Sequence, residues 1–569
     1  MCVSARAVRT PLRTSCVHQV PVVAGATREY GARKVAIRLD ILRAHDAPAT
    51  PAALLREVAQ AVNVPLQAVK RAEIVKQALD ARRQMRVPTW VLTVDAELEV
   101  EPGSTGGRAN LRAVPPPTPR LASPRAPVDG PPIAVVGAGP AGLFAAWHLS
   151  EMGAKVHLFE RGKPVETRAR DFGRFRGKGI LDPESNICFG EGGAGTYSDG
   201  KLTCRTSDPL VREVLERFVE CGAPERILID AKPHIGTNLL FRVLKGIRQR
   251  LLENGAELHY QTRVERLRTE GGRLVGLELA DGSIFATPRA LFAIGHSARD
   301  TYEKLLSAGV PMEPKPFAVG VRAEHPQSLI DSAQYRLRGA RPDTLPPADY
   351  RLAHQEGTRG VYSFCMCPGG MIVPTATELD TVVVNGMSTA RRSTPFANSG
   401  VVVQVELADL EREGCGTGPL AGLEFQRRLE RAAFAAGGQS YRAPAMLAQD
   451  FVRKKASGRL ADSHFRPGLV ATDLREVLPA FVAQGLAAGL LRFDQQLRGY
   501  TSAEANLIAV ESRTSSPLRI PRHAETREVP GFAGLHVAGE GPGYAGGIMS
   551  AAIDGLRTAH AILAALTNP

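Results

Sequence analysis

A glycine-rich turn in the second quarter of the chain constrains the fold more than any other feature. The stretch 137–142, GAGPAG, matches the pattern G-x-G-x-x-G, directly follows the apolar run 133–136 and directly precedes a helical stretch at 143–151. A second apolar run, 155–160, ends on an acidic residue. Strand, tight turn, helix and strand make a βαβ unit, which pairs parallel strands. The sequence therefore predicts an α/β fold with a Rossmann-like domain that begins near residue 132.

Each glycine of this turn has its own physical role at a dinucleotide. Gly137 permits the tight turn, Gly139 lets the backbone approach a pyrophosphate, and Gly142 lets the helix lie close to the strand. The helix N-terminus offers unpaired N–H groups and partial positive charge to the phosphates. Glu160 is placed to accept hydrogen bonds from the adenosine ribose, and its charge disfavours NADP. A plain surface charge is the alternative interpretation of Glu160, and its spacing from the glycines disfavours that.

Three further signals favour non-covalently bound FAD over NAD. A second glycine-rich stretch covers 190–198, and FAD, the longer cofactor, needs a second set of backbone donors. Residues 293–295 (AIG) end a predicted strand, and 535–540 (LHVAGE) end on an acidic residue suited to ribityl hydroxyls. The glycine turn at 543–547 precedes a predicted helix, whose N-terminus suits negative charge on a reduced flavin. Ordinary turns are the alternative, and the order of the four elements disfavours it.

The remaining chain divides by composition. A strand at 34–39, a helix at 51–62 and strands at 70–80 and 89–99 predict a small α+β module, and a Pro/Gly-rich stretch predicts a linker. The predicted organisation is a basic unstructured extension (1–33), a small α+β domain (34–100), a linker (101–131), an FAD-binding domain in three parts (132–206, 234–300 and 530–569), a connecting or substrate-domain segment (207–233) and an inserted mixed α+β substrate domain (301–529).

The basic charge does not by itself predict a nucleic-acid partner. The chain has 71 Lys and Arg against 58 Asp and Glu, a net charge of +13. The first 34 residues hold six Lys and Arg and one Glu, and the rest of the surplus is spread without a dense run. A solvated Arg-rich surface is therefore favoured over a nucleic-acid patch. The acid-poor opening 1–28 also has the composition of an organelle presequence, although an unstructured extension is the simpler interpretation.

Cysteine use and hydropathy predict a cytoplasmic protein without a membrane span. The 8 cysteines include no Cys-x-x-Cys pair and no zinc-ribbon spacing, so neither a disulfide framework nor a metal site is expected. No apolar run reaches the ~18 to 20 residues that a transmembrane helix needs. The longest apolar stretch, 481–491, is interrupted by Gln484 and by glycines.

Longer strings extend the pattern beyond single motifs. They are GEGGAGTYSDGKL (190–202), AIGHSARDTY (293–302), KPFAVGVRAEHPQ (315–327), RGVYSFCMCPGG (359–370), NGMS (385–388), ESRTSSPLRI (511–520) and GEGPGYAGGIMSAAIDG (539–555). On these strings the chain, from about residue 34 to its end, resembles the uncharacterised FAD-dependent dehydrogenases. These are related to the p-hydroxybenzoate hydroxylase and geranylgeranyl reductase type of FAD domain. The resemblance implies an FAD fold, a small N-terminal α+β domain and a cytoplasmic oxidoreductase, but no settled substrate.

The same resemblance, carried over motif by motif, implies the residues that contact FAD. The expected contacts are Gly137, Ala138, Gly139, Pro140, Ala141, Gly142, Glu160, Arg161, Gly192, Gly193, Ala194, Gly195, Thr196, Val264, Ala293, Gly295, Gly539, Glu540, Gly546, Gly547, Ile548 and Met549.

Catalytic side chains are harder to name, because the flavin itself carries the redox chemistry. Arg322 and His325 are candidates to bind an anionic substrate or move a proton, or else they form a structural hydrogen-bond pair. Arg513 either binds a carboxylate or phosphate or pairs with Glu511. Lys201 is a candidate to face the flavin, although a solvated lysine is the more frequent outcome. Tyr544 is a candidate to lie over the isoalloxazine ring.

Cys365 and Cys367 allow two interpretations. A redox-active dithiol that passes electrons from the flavin is one. Two buried thiols beside the tight turn 368–370 are the other, and this one is favoured because Cys-x-Cys closes a very small, strained ring.

The leading functional hypothesis is an FAD-dependent oxidoreductase, a dehydrogenase or reductase, that transfers hydride to or from a small organic substrate. We identify no second G-x-G-x-x-G after the first, so a built-in NAD(P)H domain is not expected. The electron donor is then a transiently docked NAD(P)H, the substrate itself or a small carrier. The alternatives are a flavin-dependent tRNA-modifying protein and a non-catalytic flavin-bearing scaffold.

Overall fold

The computed structural model describes residues 35–82, 85, 87–103, 110–116, 130–204 and 208–567. The predicted extension at 1–33 lies outside these residues. So does most of the predicted linker, of which 101–103, 110–116 and 130–131 are described.

The strands of the described residues are numbered along the chain. They are β1 Val35–Ala44, β2 Val69–Asp80, β3 Thr89–Leu98, β4 Arg112–Ala113, β5 Ile133–Val136, β6 Val156–Glu160, β7 Glu257–Tyr260, β8 Val264–Glu270, β9 Arg273–Leu279, β10 Ile284–Ala286, β11 Arg289–Phe292, β12 Glu313–Pro314, β13 Phe317–Pro326, β14 Ala353–Glu356, β15 Arg359–Cys367, β16 Met371–Pro374, β17 Val384–Met387, β18 Phe396–Val405, β19 Ala443–Leu447, β20 Leu469–Ala471, β21 Asn506–Glu511, β22 Leu518–Arg519, β23 Glu528–Val529 and β24 Phe532–Val537.

The α-helices are numbered in the same way. They are α1 Pro51–Val62, α2 Pro140–Glu151, α3 Val165–Lys178, α4 Leu210–Glu220, α5 Thr237–Glu253, α6 Arg299–Ser307, α7 Gln327–Tyr335, α8 Leu407–Arg412, α9 Ala421–Ala436, α10 Ala448–Val452, α11 Leu474–Val477, α12 Ala480–Gln496 and α13 Ile548–Thr567. Short 3₁₀ turns cover Leu66–Ala68, Gly193–Tyr197 and Glu225–Leu228. Among the described residues, none of these helices is both long and apolar enough to cross a bilayer.

The N-terminal module is an antiparallel sheet covered by one helix. Its strand order is β2-β3-β1-β4, and β4 lies inside the stretch predicted as linker. Ile37, Leu39 and Ile41 alternate along β1 and are buried in the same core as residues of α1. This alternation is the period of two that a sheet with one covered face requires.

The central domain is built on the predicted parallel sheet. Strands β24, β11, β5, β6 and β7 are parallel neighbours in that order, and β8–β10 and β23 extend the sheet. All four residues of β5 are buried. Ile133 and Val135 lie in the core formed with α2, α5 and α13, whereas Ala134 and Val136 lie in the core on the other face, with α6. A parallel strand covered on both faces explains why β5 is apolar without alternation.

The second domain carries a seven-stranded sheet of order β14-β15-β18-β13-β21-β19-β20. Strand β13 lies near its centre, antiparallel to β18 and β21. Helices α9 and α12 contribute Phe425, Leu486 and Phe493 to the core on this sheet. The inserted segment predicted at 301–529 is thus organised by one large sheet. Its strands have polar residues that are buried in hydrogen-bonded networks.

The N-terminal module docks on the body of the protein through β2. The backbone N–H of Gln77 donates to Ile229 O (2.7 Å), and the N–H of Ala231 donates back to Gln77 O (2.8 Å). The Gln77 side chain also donates to Asp230 (2.6 Å). This contact places the module beside the face on which the central and second domains meet.

Candidate active site

Four separate chain segments converge at the carboxyl edge of the parallel sheet. The N–H of Gly192 donates to Ala138 O (2.7 Å), and Ala293 N–H donates to Val136 O (2.8 Å). A Cβ built on Gly195 would lie 3.0 Å from Ile548 Cγ1. The four glycine-bearing motifs singled out in the sequence are therefore neighbours in space.

In the first glycine turn, Gly137 and Gly142 leave no room for a side chain, whereas Gly139 faces open space. Gly137 has φ +106°, and a Cβ on Gly142 would lie 1.8 Å from Gly137 O. By contrast, a Cβ on Gly139, Gly295 or Gly547 would meet no atom within 4 Å. Three bare backbone stretches from distant parts of the chain thus border unfilled space, as a long dinucleotide needs. The cradle fits FAD.

Glu160 ties this cradle together. Its carboxylate is buried and accepts from the backbone N–H groups of Ala138 (2.8 Å), Gly162 (2.8 Å) and Gly190 (2.9 Å). These amides belong to three different segments around the dinucleotide site. The surface-charge interpretation of Glu160 is therefore wrong. Its predicted hydrogen bond to ribose stays a proposal, for which one of about four acceptor positions remains.

The second glycine stretch is held by a residue that sequence reasoning missed. Arg168 is fully buried, and its guanidinium donates to carbonyl oxygens of Asn186 (2.7 Å), Ile187 (2.7 Å), Glu191 (2.6 Å) and Gly193 (2.8 Å). Burial lowers its pKa from the ordinary arginine value, although nearby anionic groups oppose the shift. A single cation thus gathers the carbonyls of the loop, so that the loop N–H groups are left to face other partners.

A helical pattern could have revealed Arg168. Val165, Phe172 and Phe175 are buried on α3, and Arg168 falls at the same spacing along the helix. Basic residues elsewhere on α3 are partly or fully exposed. An arginine on the apolar stripe of a helix is the signal for a buried cation with dedicated partners.

The loop contains a second G-x-G-x-x-G string, 190–195, so the statement that none follows the first is wrong. The structure shows it as a loop followed by the 3₁₀ turn Gly193–Tyr197, not as a strand–turn–helix unit. Its buried Glu191 accepts from Arg248 (2.8 and 2.9 Å), Tyr260 OH (2.8 Å) and the N–H of Val165 (2.8 Å). This string therefore belongs to the first nucleotide site.

The remaining expected cofactor contacts differ in their surroundings and in their exposure. Arg161 is engaged by the protein itself, with ion pairs to Glu184 (2.9 Å) and Asp300 (2.8 Å), and its guanidinium lies 4.2 Å from the centroid of the Phe189 ring. Val264 is buried in the core on the α6 face of the sheet. Ala141, Ala293 and Met549 are buried in the core formed with α2, α5 and α13, and Thr196 and Gly539 are also buried. Pro140 and Gly193 are partly exposed, and Ala194 and Gly546 are exposed.

A tyrosine missed by sequence reasoning links the third and fourth segments. Tyr302 is fully buried, and its hydroxyl lies within hydrogen-bond distance of Gly295 O (2.8 Å) and Gly541 O (2.9 Å). Burial raises the pKa of Tyr302. The neutral Tyr302 hydroxyl therefore holds the Gly295 loop and the Gly541 loop together, next to Glu540 beyond the end of β24.

A large cavity opens from this convergence. Its volume is ≈ 2960 Å³, and it lies between the N-terminal module, the central domain and the second domain. At one end it is lined by Glu540 and by Gly546, Gly547 and Ile548 at the start of α13. Lys201 and Cys365 line it too. Twelve Lys or Arg and nine Asp or Glu line the whole cavity, which gives the lining a net positive charge.

Lys201 is not a solvated lysine. Its ammonium donates to the carbonyl oxygen of Met366 and lies 3.0 Å from the buried Asp199 carboxylate. Burial lowers the pKa of Lys201, but Asp199 together with Cys367 and Cys365 outweighs it, so that the net shift is upward. Arg392 also pairs with Asp199, which holds the pKa of this carboxyl well below its usual range. Lys201 therefore stays cationic beside the cavity.

Arg322 and His325 do not form a pair. Arg322 is fully buried and donates to Glu511 (2.7 Å), Asn398 (2.8 Å) and Cys365 O (2.5 Å). His325 is also fully buried and contacts Tyr500 O through Nε2 (2.8 Å). The two residues are three positions apart on β13, and a strand directs such positions to opposite faces. Both are internal, and burial lowers the pKa of His325 to about 4.

Arg513 pairs with a different acid from the one considered in the sequence. Its guanidinium donates to Glu430 (2.9 and 3.1 Å), whereas Glu511 pairs with Arg322. Glu430 also accepts from Arg299 (2.7 and 2.9 Å), and the two arginines hold its pKa well below the usual range despite burial. This buried network joins the central and second domains, and Arg513 has a structural partner on each side.

Two other candidates lie near the acidic end of β24. Burial raises the pKa of Glu540, although His296 and Lys315 oppose the shift. His296 Nδ1 lies 3.9 Å from the Glu540 carboxylate. Tyr544 is 38 % exposed, and the guanidinium of Arg522 lies 3.9 Å from its ring centroid. One face of the Tyr544 ring is therefore already covered by protein.

His157, Glu257 and His259 form a cluster of metal-ligand type on β6 and β7. The ring nitrogens of the two histidines lie 3.1 Å apart, the centroids 5.4 Å apart and the planes at 6°. These values place the rings edge to edge in one plane, with the nitrogens facing each other. A zinc ion bonded to both nitrogens at about 2.0 Å would lie about 1.3 Å off the line that joins them, whereas coplanar, facing rings direct their nitrogens along that line. The orientation of the rings is therefore that of a hydrogen bond.

Comparison with known proteins identifies two family matches. Residues 316–514 match the family described as "FAD-dependent protein, C-terminal domain-like", and residues 135–182 match the NAD(P)-binding Rossmann-like domain. A protein of Clostridium beijerinckii, described as uncharacterized, is 38% identical over 534 residues, which cover 90% of this chain and 95% of that protein. The Rossmann-like fold and the FAD cofactor predicted from the sequence are thereby confirmed.

Solved structures give more distant likenesses. Glycine oxidase from Bacillus cereus is 12% identical and covers 76% of this chain and 98% of its own, with a TM-score of 0.31. The flavin-dependent brominase Bmp2 is 14% identical and covers 77% and 79%, with a TM-score of 0.33. CtdE in complex with FAD is 12% identical and covers 76% and 84%, with a TM-score of 0.30. These identities and TM-scores are too low to transfer an activity.

Proposed function

Because this chain belongs to the uncharacterised FAD-dependent oxidoreductase family, we propose that it transfers hydride between FAD and a small anionic organic substrate. The observation that supports this most is the cavity, which brings Lys201 and Cys365 together with the first turn of α13. FAD supplies the two-electron chemistry when bound, and the protein supplies binding, orientation and electrostatics.

The chain's own groups at this end of the cavity are arranged for negative charge. Gly547 and Ile548 present the N-terminal end of α13, which carries partial positive charge. Lys201 adds a fixed ammonium, oriented by Asp199 and by the carbonyl oxygen of Met366. Negative charge that develops on the bound reactants is stabilised best by such preorganised groups.

Two arginines on the cavity wall favour an anionic substrate. Arg351 and Arg391 line the cavity and are exposed. No acidic side chain among the described residues lies within 4.0 Å of either guanidinium, unlike Arg392, which Asp199 neutralises. Their charges are therefore free to bind a carboxylate or a phosphate.

The test begins with the coloured protein under anaerobic conditions. Small organic acids, their neutral amides, NADH and NADPH are offered as reductants, and bleaching of the flavin absorbance is followed. We expect an anionic compound to reduce the flavin and its neutral amide to be poor. In the double variant Arg351→Ala/Arg391→Ala, KM should rise at least tenfold with kcat nearly unchanged, which is the signature of lost substrate binding.

Arg459→Ala is the matched control, since Arg459 is exposed and lies away from the cavity lining. Equal KM values in the double variant and this control, or equal use of the acid and its amide, would contradict the anionic-substrate proposal. The tRNA-modification alternative is supported neither by the two family matches nor by the bacterial relative.

A further inference from the structure

Two thiols at one bulge of β15 form the most unusual group beside the cofactor cradle. Cys365 is half-buried and lines the cavity, whereas Cys367 is fully buried. The register between β15 and β18 shifts between Phe364 and Cys367, and Cys365 has φ +44°. A non-glycine residue at positive φ is uncommon and marks a locally strained backbone, which is often found at functional sites.

The bulge brings the two residues within reach of each other. In a regular strand, residues two apart share a face with Cα atoms about 6.6–6.8 Å apart. This is the upper limit of the range of about 4.4–6.8 Å for a disulfide. A bulge bends the strand, so that the two cysteines depart from this regular spacing. The Cys367 thiol donates to Cys365 O (3.3 Å), which ties the two residues together across the bulge.

Two cations, each of which also pairs with a buried carboxylate, lie beside the two cysteines. Arg322 donates to Cys365 O (2.5 Å) and approaches Cys367 Sγ at 3.8 Å. Lys201 donates to the carbonyl of Met366, the residue between the two cysteines. Two cations beside a thiol stabilise its thiolate, the form that forms and breaks disulfides.

The acidities of the two thiols diverge accordingly. The hydrogen bond from Cys367 is the largest influence and lowers the pKa of Cys365 to about 5, with Lys201 and Arg322 adding to it against the effect of burial. The same hydrogen bond and burial raise the pKa of Cys367 well above its ordinary value. One attacking thiolate and one neutral partner thiol is the usual arrangement of a redox-active pair.

We propose that Cys365 and Cys367 are a dithiol–disulfide couple that exchanges two electrons with the FAD cofactor. The inference rests on the proposed function only in placing the flavin ring at the end of the cavity lined by Gly547 and Ile548. Oxidation of the pair forms one S–S bond from a thiolate and a thiol, and it releases two electrons and one proton. FAD, a two-electron acceptor, takes the electrons and the proton. In the reverse direction, the two electrons and the proton return to the disulfide, and the S–S bond is cleaved to a thiolate and a thiol.

Electron counting tests the couple without any knowledge of the substrate. Air-oxidised, FAD-loaded protein is titrated anaerobically with dithionite until the flavin is bleached and no more reductant is consumed. The wild type should take up four electrons per chain, two for the flavin and two for the disulfide. Cys365→Ser and Cys367→Ser should each take up two. Cys415→Ser, which removes a free cysteine far from the cavity lining, should still take up four.

A second measurement does not involve the flavin. The protein is oxidised with diamide, unfolded, alkylated with iodoacetamide and digested. A peptide with a Cys365–Cys367 disulfide and two fewer alkylated cysteines is expected. In the reduced protein, the midpoint of the pH dependence of Cys365 alkylation should lie below that of an ordinary thiol, and Cys367→Ala should move that midpoint upward. Uptake of only two electrons by the wild type, or full alkylation of both cysteines after oxidation, would overturn the proposal.

The two proposals fail separately. If no organic donor bleaches the flavin, the hydride-transfer proposal fails. The electron count with dithionite still tests the cysteine couple, because it needs no organic substrate.

Discussion

Arg168→Met removes the cation that gathers the second glycine loop, and its effect can be worked out from the structure. Methionine keeps much of the volume of the side chain but has no donor. Four carbonyl oxygens that Arg168 now meets at 2.6–2.8 Å would lose their partner in a fully buried site. A buried polar group without a partner costs about 1–3 kcal/mol. The low end for each carbonyl gives a destabilisation of about 4 kcal/mol.

Such a loss is measurable in two ways. At roughly 2 °C per kcal/mol for a large domain, the midpoint of thermal unfolding should fall by about 8 °C. The affinity for FAD should fall at least tenfold, because the loop that reaches Gly139 is no longer fixed. Arg168→Lys keeps the charge but offers three donors, so it should fall between Met and wild type. Differential scanning fluorimetry and titration of the apoprotein with FAD measure both effects.

Arg174→Met is the matched control, since Arg174 lies on the same helix and is exposed. It should leave the unfolding midpoint and the affinity for FAD unchanged. If Arg168→Met behaved like this control, the assignment of Arg168 as the anchor of the loop would be refuted.

Three further changes probe other parts of the structure. Gly142→Ala would place a Cβ 1.8 Å from Gly137 O and should abolish retention of FAD. Gly173→Ala on α3, which has open space around it, should leave FAD bound. The measurement is flavin absorbance per protein, and equal loading of the two variants would refute the close approach. Glu430→Gln removes the carboxylate that the buried guanidinium groups of Arg299 and Arg513 share, although Arg299 keeps its ion pair with Glu378. The substitution should cost about 3 kcal/mol in urea unfolding, and a loss below about 1 kcal/mol would contradict the network. Burial lowers the pKa of His325 to about 4, below the value of about 6.5 in the unfolded chain. As pH falls, the unfolded chain therefore binds this proton first. The free energy of unfolding should fall by on the order of 3 kcal/mol between about pH 6.5 and about pH 4. His325→Gln should flatten this part of the pH dependence, measured as urea midpoints, and an unchanged slope would speak against a neutral buried histidine.

The parts of the fold that rest on local periodicity were predictable. The apolar run of β5, the turn 137–142 and the helix α2 follow each other in sequence and stay together in space. Helix α13 was predictable for the same reason, because a glycine turn immediately precedes it. Each of these features is decided by neighbouring residues, and tertiary packing only confirms it.

Partnerships across the chain were not predictable. Arg513 pairs with Glu430, 83 positions away, although Glu511 stands two positions from it in sequence. In a strand, residues two apart share a face, but Arg322 reaches Glu511 from the neighbouring strand β13 and leaves Arg513 to α9. The register between strands sets these pairs, and register is fixed by the whole sheet rather than by the local sequence.

The cofactor cradle lies between these two cases. Its glycines were found because each marks a turn or a close approach that other residues cannot make. Its anchors Arg168 and Tyr302 were missed, since a buried arginine in an Arg-rich helix looks like a surface residue in composition. Lys201 was named, but its burial beside Asp199 depends on the second domain, which contributes Arg392 and the carbonyl of Met366.

The most direct test of this account is the flavin content of the purified full-length chain. Denaturation should release FAD, not FMN, at one molecule per chain, since we propose that FAD is bound non-covalently with its adenosine half beside Glu160 and the first glycine turn. The folded protein should show the visible absorption bands of an oxidised flavin, and apoprotein should recover them when FAD is added. A colourless protein that fails to take up FAD, while folded by circular dichroism, would contradict the account.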